Sequence, residues 1–167
     1  NYDFDKVKEN GMMGAAIGRM GGHISFLSPD SMNKKFGRNY ALNDGLFELF
    51  GRFEIERYLD YNGNNFPTWF DPLTFLYIAK AINIYDISRG YDSLEDALKE
   101  IKSELHLFSF DNDMLFLKEE SLEIVEALQN INHKNYHYYP IESDYGHDAF
   151  LVEVDKFDST IRNILGE

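Results

Sequence analysis

The sequence predicts an α/β chain: a long helical stretch followed by one strand–helix–strand unit of a parallel sheet. Three observations carry that prediction. Residues 3–86 space their apolar side chains at helical intervals. From Ile101 onward the pattern changes, and two β-rich runs at 104–110 and 135–141 flank a helical run at 118–129, which is the order of a βαβ crossover. Two strands cannot bury both faces of a parallel sheet, so the pair is expected to belong to a larger sheet. The expected division is a helical region over 1–100 and a sheet-bearing region over 101–167.

Taken in order, a first helix is expected over 5–26, although it carries Gly11, Gly14, Gly18, Gly21 and Gly22. Each interior glycine costs a helix about 1 kcal/mol relative to alanine. Such a run implies close approach of another backbone or a ligand, or else a broken, tightly packed helix. Ser28-Pro29-Asp30 restarts a short helix, with Ser28 as N-cap and Pro29 at the first helical position. A third helix is expected over 44–61, with Phe47, Phe50, Ile55, Tyr58 and Leu59 on one broad face and Asn62-Gly63-Asn64-Asn65 as its end. Asp71-Pro72 opens a fourth, over 71–86. Its apolar residues run nearly all round, which calls for burial on several sides or an oligomer contact. Ser93-Leu94-Glu95-Asp96 reads as a capping box, with Asp in place of the usual Glu. Beyond the second strand, 155–165 reads as a closing amphipathic helix.

Composition narrows the function classes. The chain has 167 residues, 44% of them hydrophobic, with 14 Phe and 11 Tyr, which is enough for a packed core. Its formal net charge of -13 repels phosphate backbones and anionic lipid surfaces, so neither nucleic acid nor membrane is an expected partner. The absence of cysteine excludes disulfide scaffolds, Cys-based zinc sites and a cysteine nucleophile, and fits a cytoplasmic address. No apolar run is long enough to span a bilayer, and no signal peptide is recognisable. The chain starts at Asn1 rather than Met, which points to processing, truncation or a separate piece.

In open α/β sheets, chemistry gathers at the carboxyl ends of strands. Asp111-Asn112-Asp113 lies at that end of the first strand, and His147 lies in the loop after the second. An acid followed by a histidine is the order of the last two members of a Ser–Asp–His triad in α/β-hydrolases. Serine is a weak nucleophile near neutral pH. A histidine must take its proton and return one to the leaving group, while the acid holds the ring in the right tautomer. No Gly-x-Ser-x-Gly occurs, so the nucleophile is expected outside this chain. Asp-x-Asp at 111–113 also hints at a calcium loop, but the glycine and terminal glutamate of such a loop are not in place. His133 and His137 have the spacing of a helical metal pair, but they fall at a strand and read as solvated or edge histidines. His23 and His106 have no nameable partner. No metal or cofactor is expected.

The run Ser143-Asp144-Tyr145-Gly146-His147-Asp148-Ala149-Phe150-Leu151-Val152 resembles the C-terminal signature of the homoserine O-acetyltransferase family. Collinear likenesses occur at Arg57-Tyr58-Leu59-Asp60-Tyr61-Asn62-Gly63-Asn64-Asn65-Phe66, at Phe70-Asp71-Pro72 with Leu76-Tyr77, at Tyr85-Asp86-Ile87-Ser88-Arg89-Gly90, and at Asp113-Met114-Leu115-Phe116. The resemblance implies the C-terminal portion of an α/β-hydrolase fold: a helical lid, then the last two parallel strands and helices. It also implies that Asp113 rather than Asp111 is the triad acid and His147 the base. Asp148 would help hold the substrate ammonium, and Arg19 would pair with the substrate carboxylate, which suits a planar guanidinium fork. One departure is visible: the family often has Thr-Tyr-Arg where this chain has Ser25-Phe26-Leu27, so Phe26 lacks a hydroxyl that would touch substrate. The implied activity is transfer of an acetyl group from acetyl-CoA, as co-substrate, to the hydroxyl of L-homoserine in methionine biosynthesis. The implied partners are those two small molecules, an N-terminal portion carrying the serine, and a second copy paired through the lid helices. The rival readings are succinyl-CoA as donor, serine as acceptor, a plain esterase, or a non-catalytic lid or assembly fragment.

Overall fold

The computed structural model describes residues 6–42 and 49–166. Its elements run α1 (Val7–Phe26), α2 (Pro29–Lys35), α3 (Glu54–Trp69), α4 (Pro72–Asn83), α5 (Leu94–Leu98), β1 (Leu105–Phe110), α6 (Lys118–Asn130), β2 (Tyr136–Ile141), α7 (Ala149–Val152), a 3₁₀ turn (Val154–Lys156) and α8 (Asp158–Leu165). The chain forms two compact units. Among the described residues, the first comprises 6–25, 32–42 and 49–85, and the second comprises 26–31 and 86–166.

In the first unit α1 is unbroken despite its glycines. The close approach that those glycines suggested is made by a glycine of the facing helix. A Cβ on Gly63 would lie 2.9 Å from the Ala16 carbonyl oxygen and 2.5 Å from Met20 Cε, so only glycine lets α3 sit this near α1. This corrects the expected end of the third helix. Asn62-Gly63-Asn64-Asn65 does not stop α3, which runs on through Pro67 to Trp69. Phe66 is buried there, packing its ring at 5.0 Å on Phe70 and edge-on at 5.3 and 5.6 Å against Trp69 and Phe75. That packing outweighs the poor helix propensity of the Asn-Gly run.

The start of the third helix also differs from expectation. Residues 44–48, Phe47 among them, lie outside the described residues, and the helix begins only at Glu54. Before it, Tyr40 and Phe53 form an antiparallel bridge and stack their rings at 4.6 Å. The Phe53 N–H donates to Glu56 Oε2 at 2.7 Å and so caps the helix start. The Asp71 cap holds, accepting from the Thr74 N–H at 2.7 Å. Leu76, Tyr77, Ile78 and Ile82 of α4 are exposed, so burial on several sides is not realised among the described residues.

In the second unit β1 and β2 pair in parallel, from Leu105 opposite Tyr136 to Phe110 opposite Ile141, with α6 as the crossover. Strand and helix limits fall within a residue of the sequence reading. The core is Leu98, Ala127 and Leu128, surrounded by Leu94, Ile101, Leu105, Leu107, Ile124, Ile131 and Tyr136. The Ser93 hydroxyl caps α5 by accepting from the Asp96 N–H at 3.1 Å. The closing helix differs from expectation: residues 154–156 form a 3₁₀ turn, and α8 begins only at Asp158, after Phe157 buries its side chain at the break. Phe157 meets the ring of Phe110 edge-on at 5.6 Å.

Candidate active site

The second unit builds a compact acid–histidine pair beyond the carboxyl ends of its two strands. After β1, Asn112 takes a left-handed conformation (φ 61°), which Asn tolerates better than most residues. This turn brings Asp113 back over the strand end. The Leu115 and Phe116 N–H groups donate to Asp113 Oδ1 at 2.8 and 2.9 Å and fix the carboxyl plane. The other oxygen, Oδ2, lies 2.9 Å from His147 Nδ1. The Asp113 side chain is only 5% exposed and that of His147 17%. With the proton on Nδ1, that nitrogen donates to Asp113 Oδ2 and Nε2 is the acceptor side of the ring.

The imidazole is held between aromatic edges. Phe116 and Phe150 approach it edge-on at 5.1 and 5.4 Å, and the Phe26 ring lies at 5.9 Å. These contacts restrict ring rotation and limit water around Nδ1. Gly146, immediately before, has φ 93°, where a side chain would be strained. Asp148 follows as N-cap of α7, its N–H donating to the Phe26 carbonyl at 2.9 Å.

The two acids of the Asp-Asn-Asp run part company. Asp111 pairs with the Lys118 ammonium at 2.7 Å, and that hydrogen bond and charge hold the lysine above its ordinary pKa. Only Asp113 reaches the histidine. An open cleft of about 550 Å³ runs past this turn, lined by Phe110, Asp113, Met114 and Lys118 among others. Arg19 lies in the first unit, in α1, with its guanidinium 5.2 Å from the centre of the Phe66 ring.

Partners also emerge for histidines that sequence reasoning left without one. His23 Nδ1 lies 3.0 Å from the Tyr58 hydroxyl, and His106 Nδ1 3.3 Å from that of Tyr139. His137 Nε2 meets Glu104 at 2.9 Å, and His133 Nε2 meets the Ile101 carbonyl at 3.2 Å. Among the described residues no group of three or more His, Asp or Glu is arranged to hold a metal ion, and no helix is long and apolar enough to cross a membrane.

Sequence reasoning missed the polar frame of the histidine loop. Asn112 Nδ2 donates to the Ser143 carbonyl at 2.9 Å, and the Ser143 hydroxyl donates to Glu153 Oε2 at 2.5 Å. Ser28 was legible only as a helix cap. Its partners lie over a hundred residues away, where no local spacing signals them.

Over 98% of its length the chain is 59% identical to a homoserine O-acetyltransferase of Sulfurimonas autotrophica, and over 99% it is 53% identical to one of Nautilia profundicola. It spans 45% of the length of each of these relatives. No family model matches it. Among solved structures, the homoserine O-acetyltransferase of Bacillus anthracis superposes with a TM-score of 0.81 at 21% identity, covering 93% of this chain and 42% of that one. Esterase E22 superposes at 0.75 with 18% identity, covering 92% and 42%. These two likenesses speak for the α/β-hydrolase fold. Over the stretch it spans, the chain is thus similar in sequence to the homoserine O-acetyltransferases along nearly its whole length, and it carries the α/β-hydrolase fold of the solved one.

Proposed function

We propose that this stretch supplies the acid and the base of a Ser–Asp–His triad that moves an acetyl group from acetyl-CoA to the hydroxyl of L-homoserine. The carrying observation is the 2.9 Å bond between Asp113 and His147, within a chain 59% identical to a homoserine O-acetyltransferase. The serine would come from the part of the family's length that this chain does not span. Exposed apolar side chains beside the pair, Phe116 at 60% and Phe150 at 42%, would gain a covering partner there.

In the first half-reaction His147 Nε2 takes the serine proton as the hydroxyl attacks the thioester carbonyl. The imidazolium, stabilised by Asp113, then protonates the departing thiolate. In the second half, Nε2 takes the homoserine hydroxyl proton, the alcohol attacks the acyl-serine, and the proton returns to serine Oγ. Arg19 would bind the amino-acid carboxylate and Asp148 its ammonium. The first unit would serve as the lid and as a dimer contact through its helices, in a cytoplasmic enzyme of methionine biosynthesis.

The test is mass spectrometry of products from the full-length protein, offered acetyl-CoA or succinyl-CoA with homoserine or serine. The expected product is O-acetylhomoserine. Succinylated product or acylated serine would reassign donor or acceptor, a question Phe26 makes pointed. Free acetate released from O-acetylhomoserine would indicate an esterase. No acylation with any pair would end the transferase reading. His147→Ala and Asp113→Asn should each lower kcat by about 10² to 10⁴ with the fold intact, and Arg19→Ala should chiefly raise KM for the amino acid.

A further inference from the structure

Between β2 and α7, the backbone at 142–148 carries His147 and lies on the segment Phe26–Ser31. Four hydrogen bonds join the two. The Ser28 N–H donates to the Tyr145 carbonyl at 2.9 Å, and the Ser28 hydroxyl donates to the Asp144 carbonyl. The Ser31 hydroxyl donates to that same Asp144 carbonyl at 3.2 Å, and the Asp148 N–H donates to the Phe26 carbonyl at 2.9 Å. The two backbones touch directly: a Cβ on Gly146 would lie 2.5 Å from Ser28 N and 3.0 Å from the Leu27 carbonyl carbon. Ser28 is 1% exposed, so water cannot replace a bond its hydroxyl loses.

We propose that Ser28 is a positioning residue for the histidine: its hydroxyl and N–H clamp the loop and thereby keep the His147 ring on Asp113. The inference rests on the acid–base reading above. The cap role alone does not explain the geometry. Capping α2 needs only an acceptor, which Ser28 Oγ provides to the Ser31 N–H at 3.0 Å. The hydroxyl proton is spent on Asp144, three residues before the histidine, and no helix needs that bond.

The two roles separate chemically. Ser28→Thr keeps both acceptor and donor. Ser28→Asp keeps an acceptor for the Ser31 N–H but puts a carboxylate against the Asp144 carbonyl, to which it cannot donate. Ser28→Ala loses both. In the full-length protein, Ser28→Ala and Ser28→Asp should lower kcat by roughly tenfold to a hundredfold, the scale of a misplaced reacting group, with KM for either substrate little changed. Ser28→Thr should run close to the unsubstituted rate. A Ser28→Asp enzyme with full kcat would overturn the proposal in favour of capping alone, as would a Ser28→Ala enzyme with full kcat.

A second readout is independent of turnover. The His147 Nδ1–H proton, bonded to Asp113, should give a downfield NMR resonance that weakens or shifts upfield in Ser28→Ala and Ser28→Asp and persists in Ser28→Thr. An unmoved resonance in all three would refute the clamp. If Ser28→Ala does not fold, Ser31→Ala leaves the cap acceptor in place and should weaken the same resonance by a smaller amount; no change there would count against the clamp. His147→Ala separates the two ideas: full activity in that variant removes the triad reading, while the resonance still decides the clamp.

Discussion

The two units hold themselves together by different means. In the first, rings and a close helix crossing dominate: Phe66 against Phe70, Trp69 and Phe75, Phe36 against Tyr58, and Gly63 under Ala16 and Met20. In the second, the parallel ladder and a set of polar bonds between distant loops dominate, from Asn112 to Ser143 and from Ser28 to Asp144 and Tyr145. Ring contacts are tolerant, since their energy varies slowly over 4.5 to 7 Å. Hydrogen bonds weaken steeply with angle and distance. The Asp113–His147 pair sits in the second kind of frame.

Truncation of a core side chain in either unit should unfold that unit preferentially. Phe66→Ala removes the ring at the centre of the first unit's aromatic cluster and should cost about 3–5 kcal/mol. Leu128→Ala, on α6 at 0% exposure and packed with residues of α5 and the sheet, should cost about 2–5 kcal/mol. Denaturant unfolding monitored by Trp69 fluorescence, with amide exchange reporting β1 and β2, reads the two units separately. If the contrast is right, Leu128→Ala loosens the strands first and Phe66→Ala the region around Trp69. Identical, global loss in both variants would show that the units melt as one body.

Each unit also holds one glycine pressed against a neighbouring backbone. Gly63→Ala meets the flexible end of Met20 and the fixed Ala16 carbonyl, an overpacking of about 1–3 kcal/mol. The expected consequence is a lowered melting temperature with kcat little changed. Gly146→Ala meets only backbone, at Phe26, Leu27 and Ser28, and must also hold φ near 93°. That strain costs of order 1–3 kcal/mol in addition to the clash, and it falls beside His147, so kcat should drop along with the melting temperature. A Gly146→Ala enzyme with unchanged kcat would mean that the loop frame does not govern the histidine.

How much of this was legible follows the same divide. The βαβ unit could be read because strand and helix periods differ. The ends of α3 could not. The Asn-Gly-Asn-Asn run carries every local mark of a helix stop, yet the chain continues because the reason is tertiary: Gly63 faces another helix, and Phe66 belongs to a cluster completed by Phe75. The break before Phe157 is likewise set by the ring of Phe110, 47 positions away in the chain. At the site, Asp113 and His147 were legible by order and resemblance, whereas Asn112, Ser28 and Glu153 were not, since their partners are distant backbone and side-chain groups. Local chemistry can be read from a sequence; bonds between distant loops have no spacing to betray them.

The smallest expected effect lies where the chain passes from Tyr85 of the first unit to Asp86 of the second. Asp86 Oδ1 accepts from the Ser88 hydroxyl at 2.7 Å and the Ser88 N–H at 2.9 Å, and these two bonds, with a weaker pull from Arg89, hold its carboxyl below the ordinary carboxylate pKa. A depressed folded-state pKa means the turn's contribution is present above the unfolded-state value and is lost as pH falls through the folded one. Ser88→Ala removes the larger of the two bonds and should raise the Asp86 pKa toward its ordinary value. The turn is solvent-exposed, so overall stability should barely change. A carbon-detected NMR titration of the Asp86 carboxyl measures the shift. Chemical-shift changes confined to residues 85–91 would mark this passage as a local polar turn. Changes reaching Phe66 or Leu98 would show that it carries the packing of a unit, and the line drawn between ring-packed and bond-framed regions would have to move.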